Sequence, residues 1–515
     1  MSQPPLDEVG TVLIGVDIGT TSTKVVAYDV HGRRHEQAEH GYPLDTTEAG
    51  QATQNPDLVL EAVLTGLGHV VSSCLRQGSR IAGVAFSAAM HSLLGLDGAG
   101  APITPLITWA DSRAVDQAER LRDTEVGKEL YRRTGTPVHP MAPVVKLLWL
   151  RDEHPAVVEE AVRWLGIKEY VVARLTNQYL MDRSIASGTG LLEMGTAAWW
   201  APALELCGVR AEQLPPVVST THRLAFAPDL ARELQLGDAP LVIGAGDGPL
   251  ANLGVGAVRS GVAACSVGTS GAMRVIVDQP GVDPLGRTFC YALDDERWAI
   301  GGSISNGGSV LDWVANAVTP DLGEHAAATL LQLAAGAPAG SDGLLMLPYL
   351  LSERAPHWNA LVRGAYFGLT RAHGRPHLVR AALEGVCQQL ALVLEAVEAA
   401  GREVHEIRAT GGFLRDPFTR QLLTDVLGRD VGFANASQGS AFGAALLGMQ
   451  ALGLVASLEV AGDLVPVEEW RQADPAAAEL YRAQRQIFGG VYQALEPAYR
   501  ALHTLAAKPP RAPLG

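Results

Sequence analysis

Two aspartates in this chain stand where an apolar strand gives way to glycine, and both positions suit phosphate chemistry. The first is Asp17, in Leu13-Ile14-Gly15-Val16-Asp17-Ile18-Gly19-Thr20-Thr21-Ser22. Glycine lets backbone come close to a ligand, and the hydroxyls of Thr20, Thr21 and Ser22 with the free amides of such a turn suit a phosphate. A carboxylate at the strand's exit could hold hydrated Mg²⁺ beside that phosphate. The second is Asp247, in Leu241-Val242-Ile243-Gly244-Ala245-Gly246-Asp247-Gly248. With no cation next to it in sequence, it can accept the proton of a hydroxyl while that oxygen attacks phosphorus. Plainer readings fit the same letters: an ordinary hairpin with a solvated Asp17, and Asp247 as a helix N-cap. Local sequence does not choose between them.

The elements that must position these groups are legible around them. Residues 13–18 form a β-branched apolar run, and a second run from Lys24 to Tyr28 follows the Gly-Thr-Thr-Ser turn, so the unit reads as a β-hairpin. Ser266 to Asp278 aligns without gaps on Asp17 to Asp29, each copy being strand, Gly-Thr-Thr/Ser turn, strand and Asp. Such an echo means two related domains, each presenting a phosphate-sized turn, the second at Gly268-Thr269. The second copy has Ser266 in place of Asp17, so only the first offers a carboxylate to a metal. Two such hairpins facing one nucleotide resemble the sugar kinase, actin and heat-shock ATPase superfamily. The resemblance implies an α/β fold of two actin-like, ribonuclease H-like domains flanking a cleft, here 11–256 and 257–508 with a loose tail at 509–515.

Composition narrows the class. The chain has 515 residues, 47% hydrophobic and 18% charged, which describes a folded enzyme of more than one core. Its 40 basic and 55 acidic residues give −15, arguing against a nucleic-acid or anionic membrane surface. Anionic substrates must therefore meet locally placed cations. Lysine is rare: only Lys24, Lys128, Lys146, Lys168 and Lys508. Lys24, Lys146 and Lys168 lie in apolar or glycine-rich settings and are candidates for positional roles, Lys24 beside the transferred group. Five scattered cysteines without metal spacing point to a reducing cytoplasm. Residues 1–10 lack the basic and apolar parts of a signal peptide, and no apolar run reads as long enough to span a bilayer.

Along the first half, the strand Ile81–Phe86 ends in a small-residue loop with Met90 and His91, a usual place for ligand contacts. Thr108-Trp109-Ala110-Asp111-Ser112-Arg113 reads as a strand entering a helix. An aromatic platform with an acid and a base would suit a polyhydroxylated substrate, and a simple N-cap explains the same residues. A helix over 118–133 follows, then the proline-rich loop 134–145 with His139 and Met141, ending where Lys146 opens a helix. Asp182 to Ser187 reads as a polar turn, 377–400 as a long amphipathic helix, Ser352 to Asn359 as an exposed loop, and 474–508 as helical. Ile407–Thr410 is a strand ending in Gly411-Gly412, a pair that would let adenine lie on the backbone.

Met141-Ala142-Pro143, Lys146-Leu147 and Trp149-Leu150 resemble the first signature of the FGGY carbohydrate kinases. The Met90-His91 loop, Thr-Trp-Ala-Asp-Ser-Arg and Gly-Thr-Pro-Val-His-Pro-Met are similar to the gluconate branch of that family, over residues 12 to about 508. The resemblance implies ATP and Mg²⁺ as cofactors and phosphorylation of a terminal hydroxyl, D-gluconate first and xylulose or another polyol as the alternative. It makes Asp247 the catalytic base. It places Gly308 and Asp312 at the nucleotide, with Gly411, Gly412 and Asp416 at the second signature, where Leu414-Arg415-Asp416 departs from the family's commoner residues. Met90, His91, Trp109, Asp111, Arg113, His139 and Met141 are the expected substrate contacts, with Lys146 or Lys168 holding the carboxylate. The expected partners are sugar acid and ATP, a homodimer being the assembly considered. An actin- or chaperone-like ATPase without an acceptor is the rival of a different class.

Overall fold

A computed structural model describes residues 10–321, 326–434 and 439–506. The sequence expectations for the leader and the tail fall outside these. Two mixed sheets dominate. In the first, strands Thr11–Ile18 and Ser22–Tyr28 form the expected hairpin, with Asp17 opposite Lys24. Arg34–Gly41 continues the sheet antiparallel on one side; Arg80–Ala88 and Leu241–Gly246 continue it parallel on the other. In the second sheet, Val262–Val267 and Gly271–Val277 repeat the hairpin. Trp298–Ile304 joins it antiparallel and Glu406–Thr410 then Val431–Ala434 join it parallel. Strand order and direction around the two hairpins therefore agree, as the sequence echo requires.

Alternating and continuous apolar runs form these strands because both sheet faces are covered. Helix Pro56–Arg76 lies on the first sheet, capped by the Asn55 side chain on the Asp57 amide, with Val59, Val63, Leu67 and Val70 buried. It is long and apolar enough to cross a membrane by length and composition, contrary to the sequence reading, and half of that stretch is buried inside the protein. Helix Arg375–Ala399 runs through the core beside the second sheet. Helix Gly439–Ala451, from the second half of the chain, packs on Thr11–Ile18 and Arg80–Ala88 of the first sheet.

Several boundaries differ from expectation. The helix over 118–133 is two, Val115–Arg122 and Glu125–Thr134, because Thr124 caps the second on the Gly127 amide. Asp182 to Ser187 is no polar turn: Asp182 caps the short helix Arg183–Ser187, and Asp182, Ser184 and Ser187 are buried. The loop 352–359 is largely interior. Glu353 is fully buried and accepts from the Ser305 and Arg354 amides and from the side chains of Asn306 and Gln389.

Candidate active site

The carboxyl ends of Arg80–Ala88 and Leu241–Gly246 and one face of the second sheet enclose a cavity of about 270 Å³. Asp247 lies on its wall as the first residue of helix Asp247–Gly254. Its Oδ1 accepts from the Gly248 amide at 2.7 Å, so it does part of a cap's work while still facing the cavity. Burial pushes its pKa up to about 6, and the charge of Asp17 pushes the same way; Arg274 and the amides of Gly248 and Met90 pull it down. A carboxylate with a pKa near that of its surroundings is suited to taking a proton.

Asp17 ends its strand with Oδ1 accepting from Ser87 Oγ at 2.7 Å and Oδ2 from Ser440 Oγ at 2.6 Å. Burial raises its pKa against these two hydroxyls and the charge of Lys24. Among the described residues there is no group of three or more His, Cys, Asp or Glu that could hold a metal. Mg²⁺ needs only one or two protein carboxylates when phosphates supply the rest, so Asp17 fits such an ion. In the first turn, Thr20 lines the cavity and its Oγ1 accepts from Trp109 Nε1 at 2.8 Å. Thr21 is exposed, its carbonyl taken by the Tyr42 amide, and Ser22 Oγ donates to Glu39.

At the second turn, the glycine loop before helix Ser309–Ala317 docks on the hairpin: Gly308 N donates to Gly268 O at 2.7 Å and Ser309 N to Thr269 O at 3.1 Å. Gly411, at φ +120°, sits so close to this hairpin that a Cβ would lie 2.2 Å from Val267 O. Gly268, Thr269, Gly308 and Gly411 thus converge, and Gly412 beside them has open space. Asp312 is exposed on its helix. Asp416 caps helix Pro417–Leu427 on the Phe418 amide.

Met90, His91 and Trp109 line the cavity as expected. His91 sits at φ 67° with Nδ1 2.8 Å from Gly188 O, so Nδ1 carries the hydrogen and Nε2 is left as an acceptor. Burial holds its pKa near 3, which keeps the ring neutral.

The other expected substrate contacts are not brought to the cavity. Asp111 and Arg113 pair with each other at 2.7 Å; Asp111 also accepts from the Ala52 amide, and Arg113 stacks on Trp149. His139 is buried against Trp358, its Nδ1 accepting from the Met141 amide, and Met141 is in the core. Lys146 is 1% exposed and spends its ammonium on the carbonyls of His91 at 2.6 Å and Thr108 at 2.7 Å. It clamps the two cavity loops together from behind. Lys168 pairs with buried Asp182 at 2.7 Å. Neither lysine lines the cavity.

Two arginines take their place. Arg274 and Arg354 both open on the cavity. Arg354 lies 4.5 Å over the Trp109 ring and donates to Ser305 Oγ and Ile304 O. Arg274, 6% exposed, donates to Asn252 Oδ1 at 3.1 Å and Ser266 Oγ at 3.3 Å. Neither makes a salt bridge among the described residues. The hydroxyl of Tyr291 is buried beside them without a partner. Arg354 stands in a loop with no local pattern to mark it, whereas an arginine inside the otherwise apolar strand Gly271–Val277 was a readable signal. A larger cavity of about 650 Å³ beyond Trp358 contains none of the expected site residues, and its Arg122, Lys128 and Arg132 are paired locally with glutamates.

Twin sheets of one topology, two glycine-threonine hairpins and a buried carboxylate in a small polar cavity define a two-lobed phosphotransferase with an alcohol acceptor. The chain belongs to the FGGY family of carbohydrate kinases: residues 12–254 match its N-terminal domain and 263–452 its C-terminal domain. It is 39% identical over 499 residues to the gluconokinase of Bacillus subtilis (strain 168), covering 95% of this chain and 96% of the relative. Gluconate kinase from Lactobacillus acidophilus superposes with a TM-score of 0.90 at 35% identity, over 96% of this chain and 100% of that one. A ligand-bound xylulose kinase from the same organism gives 0.90 at 36%, with the same coverage. ATP as the phosphoryl donor follows from the family.

Proposed function

We propose that this chain transfers the γ-phosphoryl group of ATP to the terminal hydroxyl of a sugar acid, D-gluconate to 6-phospho-D-gluconate first. One observation carries the choice of an acid over a neutral sugar. Two guanidiniums, Arg274 buried and Arg354 half-buried, open on the acceptor cavity without a salt bridge among the described residues, and an ionic group is seldom buried unpaired unless something completes it. The substrate carboxylate is that missing anion. The likeness to gluconate kinases agrees with this reading, and the likeness to xylulose kinases names the alternative.

In this reading residues 11–256 supply Asp247 and most acceptor contacts, and residues 257–508 cradle the nucleotide with Gly268, Thr269, Gly308, Gly411 and Gly412. Trp109 offers the acceptor an apolar wall, and His91 Nε2 accepts from one of its hydroxyls. Asp247 takes the proton of the attacking hydroxyl as the new P–O bond forms and the bond to the ADP oxygen breaks. Thr20, on the cavity wall, with the backbone of Thr21 and Ser22 and the ammonium of Lys24, would receive the transferred group. Asp17 would hold Mg²⁺, which neutralises phosphate charge when bound. Drawing the two sheets together over the cavity excludes water, so the hydroxyl outcompetes hydrolysis. All five cysteines are buried free thiols, in keeping with a reducing cytoplasm.

A coupled ADP-release assay across gluconate, xylulose, ribulose and glycerol tests the proposal. Gluconate is expected to give the highest kcat/KM. Preference for a neutral acceptor rejects it, and ATP turnover indifferent to every acceptor favours an ATPase instead.

A further inference from the structure

Both arginines face the same cavity, but the fold uses them differently. Arg354 ties its loop to Ile304 O and Ser305 and stacks on Trp109, work that any acceptor requires. Arg274 stands in a strand whose seven residues are all buried and, apart from it, apolar or glycine. Its partners are an amide oxygen and a hydroxyl, which orient a guanidinium without neutralising it. Across the strand pair, Gly301 lies opposite Arg274, and a Cβ there would stand 2.9 Å from Arg274 Cγ and 2.8 Å from its Cα. A Cβ there would also stand 2.1 Å from Met273 O, so the bare backbone of Gly301 lets the two strands close around the base of this side chain. Its nearest acid is Asp247, whose carboxylate is needed for the proton.

We infer that Arg274 is the residue that restricts this enzyme to anionic acceptors, its guanidinium gripping the substrate carboxylate. The buried Tyr291 hydroxyl supplies a further donor to the same oxygens. An acceptor without a carboxylate leaves Arg274 buried and uncompensated, and that penalty excludes it. Sites built to bond one polar group reject analogues that lack it far more strongly than apolar pockets reject a missing methylene. The assignment rests on the sugar-acid reading above.

The test uses the full chain and three proteins: wild type, Arg274→Met and Arg274→Lys. Steady-state ADP release is measured with gluconate and with a neutral acyclic polyol of the same length, and melting temperature with and without each acceptor. Arg274→Met should lower kcat/KM for gluconate relative to that for the polyol by about a hundredfold or more. It should also lose the gluconate-induced rise in melting temperature. Arg274→Lys should recover part of the gluconate activity. Parallel loss on both acceptors in Arg274→Met, or gluconate activity unchanged, overturns the assignment. A wild type that itself prefers the neutral polyol removes the sugar-acid reading instead, and the two failures are separate because the second needs no variant.

Discussion

Replacing Asp247 by Asn removes one charge and almost no volume, and its consequences follow from the geometry. Asn Oδ1 can still accept from the Gly248 amide at the 2.7 Å now seen, so the start of helix Asp247–Gly254 should hold. What is lost is the acceptor for the hydroxyl proton. General-base catalysis is worth about 10²–10⁴ in rate, so kcat should fall by that factor while gluconate binding persists. The wild-type dependence on pH has a fixed sign. Only the ionised carboxylate can act, so kcat/KM should rise about tenfold per pH unit below about 6 and level off above it. Stability moves the other way. The folded pKa of about 6 stands above the ordinary 3.8, so the folded state binds the extra proton and loses stability as pH climbs between the two. Above 6 the charged form is disfavoured by on the order of 3 kcal/mol, and Asp247→Asn should recover part of this in urea denaturation at pH 7.5. ADP release in the coupled assay measures the first effect and isothermal titration with gluconate the binding. Turnover within tenfold of wild type, or a flat pH profile between 5 and 7, would refute the role of Asp247.

Three further outcomes test other parts. Lys168→Met should destabilise the protein by about 3–5 kcal/mol, because Asp182 is left buried without its cation, with no change in KM for gluconate; a raised KM would mean the lysine does reach the substrate. Lys146→Met should raise KM for the acceptor more than KM for ATP, since the carbonyls of His91 and Thr108 lose their common anchor, and steady-state kinetics with each substrate varied separates the two. Ser440→Ala removes a hydroxyl bonded to an ionised carboxylate, an interaction of about 1.5–3 kcal/mol, and should raise the pKa of Asp17. The expected result is a higher KM for Mg·ATP, read by titrating ATP at fixed Mg²⁺.

Legibility in the sequence followed the range of the signal. The first hairpin and its echo could be read because β-branched alternation and a short turn are local, and a gap-free repeat is self-verifying. Met90, His91 and Asp247 were readable because each follows a strand of the first sheet, and Trp109 because it follows the short strand Leu106–Ile107. Asp111 and Arg113 misled because residues two apart can close an ion pair on themselves, which looks the same in letters as a pair offered to a ligand. The scarcity of lysine singled out two buried residues, Lys146 and Lys168. It could not tell that backbone carbonyls and Asp182 occupy them. Arg354 stands 107 positions from Asp247 and meets the cavity only through the fold, so no window around either residue contains both.

The helix Gly439–Ala451 crosses onto the first sheet through glycines. A Cβ on Gly15 would lie 2.0 Å from Ala441 O, and one on Gly443 would lie 2.2 Å from Leu250 O. Here main chain rests directly on main chain, and Phe442 of the helix packs edge-on against Tyr28 beside it. The helix therefore has one close-fitting seat on the first sheet. Because Ser440 rides on the same helix and bonds Asp17, any shift of that seat is transmitted to the first phosphate turn. A single methyl group at position 15 or 443 should therefore draw Ser440 away from Asp17 even though neither position borders the acceptor.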